Sequence, residues 1–71
     1  MDLSIVIPAF NEEESIAQLV DEIRAVVDEE GYKWEIIFVD DGSSDATWKI
    51  VGELNAKDDR VRGISFQRNY G

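Results

Sequence analysis

The sequence contains no cysteine and no histidine, and those two absences remove several classes of chemistry before any motif is read. No disulfide can staple the fold, no thiolate or imidazole can hold zinc, and a nucleophilic triad cannot be assembled from these residues. Lack of cysteine suits a reducing compartment. Basic residues are also scarce: 7 Lys and Arg stand against 16 Asp and Glu, a net charge of -9. Nucleic acids and anionic membrane surfaces are bound by clustered Lys and Arg that displace counterions, so neither is an expected partner. No apolar run approaches the ~20 residues of a membrane span, and the start MDLSIVIPAF lacks the basic segment of a secretory signal, which points to a cytoplasmic chain. There is no GxGxxG and no GxxxxGK[ST], so both the dinucleotide fingerprint and the P-loop are missing.

What remains is ordinary for a globular protein, 71 residues of which 44% are hydrophobic and 32% charged. A chain this short buries only about 60% of the surface its unfolded form exposes, which leaves a marginal core. The organising stretch is Glu35 to Thr47, EIIFVDDGSSDAT. Its apolar run Ile36 to Val39 has the character of a parallel strand buried on both faces, and it stops at two carboxylates and a glycine-serine turn. Leu3 to Ile7 is an earlier strand stopped by Pro8, and Val61 to Phe66 a later one. Asn11 and Glu14 have the spacing of a capping box ahead of a helix from about Glu12 to Glu29, which Gly31 ends; Ile16, Leu19, Val20, Ile23, Val26 and Val27 supply its apolar face. Thr47, Ile50, Val51 and Leu54 mark a second helix from about Ala46 to Lys57.

The order strand, helix, strand, helix, strand predicts an α/β fold: the βαβαβ, Rossmann-like half of a doubly wound domain, with three parallel strands and two helices. Two helices linked by same-handed crossovers lie on one face of the sheet, so the other face should be left uncovered. We therefore expect residues 1–71 to be an incomplete part of a larger domain, able to self-associate in isolation.

Ligands of open α/β sheets sit beyond the carboxyl ends of the strands. Phe10 and the pair Asp40 and Asp41 follow two strands expected to be neighbours, and an aromatic face with a carboxylate is what a nucleobase requires. A carboxylate accepts from the ring N–H of uracil or guanine, while adenine has none on its pairing edge. Asp41 thus favours a uridine or guanosine nucleotide, and Glu12 can accept from ribose hydroxyls. Both helix starts carry acids, Glu12 to Glu14 and Asp40, Asp41 and Asp45, which would repel a diphosphate. Capping and dipole roles are the plain alternative for the glutamates, as a core or staple role is for Phe10. Asp41, Ser43 and Asp45 do not make a calcium loop, since Ala46 and Gly52 stand where glycine and glutamate are required. Two readings from other classes are a receiver-like acidic domain that binds magnesium and a non-catalytic α/β association module.

IVIPAFNEEESI, EIIFVDDGSSDAT and FQRNYG, in that order, resemble the N-terminal part of family 2 glycosyltransferases, nearest the branch that moves sugars onto polyprenyl or dolichyl phosphates. The resemblance implies transfer from a UDP- or GDP-sugar, with Pro8, Phe10 and Glu12 around base and ribose, Val39 and Asp41 bordering and bonding the base, and Asp40 beside them. Phe10 stands where the family usually has tyrosine. It also implies Mg or Mn, held by a DXD motif that is not present in these residues, so they bind no metal by themselves and are inactive alone. Arg68 to Gly71 correspond to a loop on the acceptor side. The full-length protein would work at the cytoplasmic face of a membrane on a lipid-phosphate acceptor.

Overall fold

Trp34, Ile36, Phe38 and Asp40 are buried at alternate positions of one strand, while Glu35, Ile37 and Val39 between them are not. The strand is therefore covered on one face. The structure is a computed structural model, which describes residues 2–40, 42 and 45–65, together with the backbone of 69–70. Its elements are β1 (Leu3–Pro8), α1 (Ile16–Glu29), β2 (Trp34–Asp40), α2 (Thr47–Lys57), β3 (Val61–Ser65) and β4 (Asn69–Tyr70). The sheet order is β1-β2-β3-β4. β1, β2 and β3 run parallel, and β4 is a two-residue antiparallel addition beside Gly63 and Ile64.

Both helices pack on the same face. Ile16, Val20 and Val27 of α1 and Val51 of α2 form one core with Trp34, Ile36, Phe38 and Val61. The other face carries Val6 at 61% exposure, Val39 at 39% and Ile64 at 43%. The doubled burial expected for the run Ile36 to Val39 is thus corrected: Ile37 and Val39 point to the side without helices. At the amino end of that open face the Glu35 carboxylate accepts from the Ser4 hydroxyl at 2.6 Å and from Arg62 at 2.9 Å. The hydroxyl and then the guanidinium hold the Glu35 carboxyl below the usual range, against the desolvation that opposes them.

α1 begins later than the capping-box spacing predicts. Asn11 is left-handed at φ 53°, residues 13–15 form a turn, and Ser15 is the N-cap without a side-chain cap bond. Val26 lies outside the buried stripe at 62% exposure. The other end matches expectation: Gly31 at φ 77° closes a Schellman motif, its N–H bonding Asp28 and the Tyr32 N–H bonding Val27. Phe66, the last residue expected in β3, is outside the described residues.

The amino ends of the strands are tied by a charged cluster. Arg60 donates to both oxygens of Asp58 at 2.9 Å and lies 4.1 Å over the Trp34 ring, while Arg24 reaches Asp58 at 3.3 Å. The Arg60 fork, outweighing the cost of burial, lowers the Asp58 carboxyl and raises Arg60 itself. A carboxyl lowered by folding stabilises the native state above its unfolded pKa of about 4 and loses that contribution as pH falls through the folded value. Asp58→Asn should therefore destabilise by about 0.5–1 kcal/mol near pH 7, the value of a partly solvated ion-pair network. The difference from the parent should close as pH falls below about 4, the unfolded value, through the lower folded one. Urea midpoints measured across that range check it, and a gap independent of pH would be the contrary result.

Candidate functional site

The site begins with the parallel pairing of β1 and β2, which sets Pro8 opposite Val39. The ladder continues one step further, the Ala9 N–H donating to the Val39 carbonyl at 2.9 Å, so the two strand tips leave the sheet side by side. Ala9 is buried and Phe10, the next residue, is 57% exposed. A large aromatic ring thus stands in solvent at the carboxyl edge, the position that a stacking platform needs. Left-handed Asn11 then turns the chain toward α2.

Strand alternation separates the members of the second group. Val39 faces the uncovered side, whereas Asp40 is buried at 3% exposure on the helix-covered side. Asp41 lies outside the described residues; Gly42, which follows it, is left-handed at φ 84°, as a tight turn after a strand requires. Pro8, Phe10 and Val39 are therefore grouped at one edge, and Asp40 faces the opposite side of the sheet from Val39.

Glu12 has a placement that its sequence position does not reveal. Its backbone N–H donates to the Thr47 hydroxyl at 2.8 Å, and that hydroxyl donates in turn to Asp45. Asp45 also accepts from the Thr47 N–H at 3.0 Å and from the Glu13 N–H at 3.4 Å. Desolvation works against the ionised Asp45, but the bonds from the Thr47 side chain and from the Thr47 and Glu13 N–H groups outweigh it and hold the carboxyl below its usual range. The Glu12 carboxylate accepts from the Ser15 hydroxyl at 3.0 Å, across the turn that precedes α1. Asn11 to Ser15 and Asp45 line an open acidic depression. Sequence reading assigned Asp45 and Thr47 to the start of a helix; the signal available was the Asp-x-Thr spacing just after the acidic turn.

Among the described residues no group of three acids converges as metal ligands. No helix among them is long and apolar enough to cross a membrane.

In open α/β sheets the crevice beyond the carboxyl ends of the strands is where ligands bind, and the two loops meet there. Residues 4–71 match the family described as glycosyl transferase family 2, and the chain belongs to that family. It is 42% identical over its whole length to the prophage bactoprenol glucosyl transferase homolog of Escherichia coli K12, covering 23% of that protein. To the dodecaprenyl-phosphate galacturonate synthase of Rhizobium johnstonii it is 41% identical, again over 100% of this chain and 21% of the relative. The undecaprenyl-phosphate 4-deoxy-4-formamido-L-arabinose transferase of Salmonella paratyphi A is 37% identical over 97% of this chain and 21% of its own. The chain thus spans less than a quarter of the length of the curated relatives it matches. Membership in a transferase family disfavours the receiver-like and association-only readings, and β3 reaches Ser65 without an acidic residue.

Proposed function

We propose that this chain supplies the nucleoside-binding part of an enzyme that transfers a sugar from a UDP- or GDP-sugar to a polyprenyl phosphate. The observation that carries the reading is Phe10, more than half exposed beside the tip of β2, the strand that runs into Asp41. The ring stacks on the base, Asp41 accepts its ring N–H, and Glu12 receives the ribose hydroxyls; Pro8 and Val39 border the base. The acids around both helix starts keep the diphosphate away, toward metal or basic groups supplied by other parts of the enzyme. The lipid acceptor is supported by the relatives named for bactoprenol, dodecaprenyl phosphate and undecaprenyl phosphate. Such an acceptor would put the working protein at the cytoplasmic face of a membrane.

Calorimetric titration with UDP, GDP and ADP tests the base recognition. Hydrogen bonds to a charged group contribute about 1.5–3 kcal/mol, so Asp41→Asn should weaken the preferred nucleotide by roughly ten- to a hundredfold and leave ADP, if it binds at all, unaffected. Phe10→Ala should weaken all three, because stacking contributes about 1–3 kcal/mol whatever the base. Equal affinity in the parent and Asp41→Asn would remove Asp41 from the site.

A further inference from the structure

Thr47 is fully buried at the first position of α2, yet its hydroxyl is spent on a different element, the loop after β1. A threonine needed only to fill space could be valine. Here the hydroxyl accepts from Glu12 and donates to Asp45, and the second oxygen of Asp45 takes the next N–H of the same loop, that of Glu13. Two consecutive amides of the first loop are thereby fastened to the amino end of α2, only two residues beyond the exposed Phe10. The segment is otherwise short of regular structure: Asn11 is left-handed, and α1 starts only at Ile16. The bond from Glu12 and the strand-tip bond from Ala9 fix the loop on either side of Phe10.

We propose that Thr47 and Asp45 are positioning residues for nucleotide recognition, holding the loop from Phe10 to Glu13 so that the ring and the Glu12 carboxylate are set before the nucleoside arrives. They touch no substrate and act through the loop. The clamp thus joins the loop that carries Phe10 to Asp45 and Thr47 at the amino end of α2. This rests on the nucleoside site proposed above. Preorganisation of this kind lowers the cost of ordering on binding, and its loss appears in affinity rather than in fold.

The test compares Thr47→Val, which keeps the shape, with Thr47→Ser, which keeps the hydroxyl, and with Asp45→Ala at the less buried end of the clamp. Each is titrated with UDP and GDP well below its own melting temperature. The expected result is affinity about five- to tenfold weaker in Thr47→Val and Asp45→Ala and restored to within about twofold in Thr47→Ser, as loss of one or two neutral-donor bonds implies. Amide hydrogen exchange on the free chain is the second measurement. Glu12 and Glu13 should exchange about tenfold faster or more in Thr47→Val or Asp45→Ala, while amides in the last two turns of α2 keep parent rates. Parent affinity in both disrupting variants would overturn the proposal. If the parent itself binds no nucleotide, the nucleoside reading fails and exchange alone decides the clamp: unchanged Glu12 and Glu13 rates would then overturn it too. Should Thr47→Val not fold, Asp45→Ala and Thr47→Ser give the same discrimination.

Discussion

Trp34→Ala should remove about half of the stability of the fold at 25 °C. Trp34 is 1% exposed, the largest fully buried side chain, and it is held in three ways. Its ring packs in the core at the start of β2, its indole N–H donates to Asp28 at 2.7 Å, and the Arg60 guanidinium lies over it at 4.1 Å. Truncating a buried tryptophan costs about 3–5 kcal/mol. At roughly 0.05–0.15 kcal/mol per residue, a domain of this size has only about 4–10 kcal/mol in total. Trp34→Phe separates the contributions, since it retains a ring beneath Arg60 but removes the indole N–H and leaves Asp28 with the longer bond from Arg60 at 3.4 Å, at about 1–2 kcal/mol. Circular dichroism during urea titration reads both, with Trp48 as the remaining indole reporter. A Trp34→Ala chain with the parent midpoint would show that this end of the sheet does not carry the fold.

Much of this architecture could be read from residue order. Strand, helix, strand, helix, strand followed from apolar runs and periods, and both helix ends that used glycine or a charged turn were legible because their signals are local: Gly31 at α1, Lys57 and Asp58 at α2. The start of α1 was not. The spacing of Asn11 and Glu14 is that of a capping box, but the partners that won are Thr47 and Asp45, more than thirty residues away in sequence. No local rule could weigh them. The same holds for Asp40 and Val39, adjacent in sequence and sent to opposite sides of the sheet, and for Trp48, which belongs to the buried face of α2 although its periodic stripe was complete without it. In the site, strand adjacency alone placed Phe10 beside the tip of β2, Pro8 and Val39 came only from the family resemblance, and the clamp that holds the loop needed coordinates.

Gly63→Ala is expected to cost about 1–3 kcal/mol, the penalty for overpacking a filled core. A methyl at Gly63 would sit 2.6 Å from the Val51 Cγ1 and 3.1 Å from the Trp48 ring. Neither neighbour can yield cheaply. Val51 is fully buried and β-branched, so its χ1 is stiff, and Trp48 is a large buried ring on the same helix. The bare backbone at Gly63 is therefore what lets α2 lie close against β3, between its sheet partners Phe38 and Tyr70. The gain of up to about 1 kcal/mol that alanine has over glycine in a strand offsets only part of this. The decisive comparison is a double-mutant cycle with Val51→Ala, which alone should cost about 1–2.5 kcal/mol for two lost methyl groups and the space they leave. In the double variant the new methyl enters the space vacated by Cγ1, so the pair should cost less than the sum by about 1 kcal/mol or more. Strictly additive urea midpoints would mean that the strain at Gly63 is relieved elsewhere, and that close packing of α2 on β3 is not what requires glycine there.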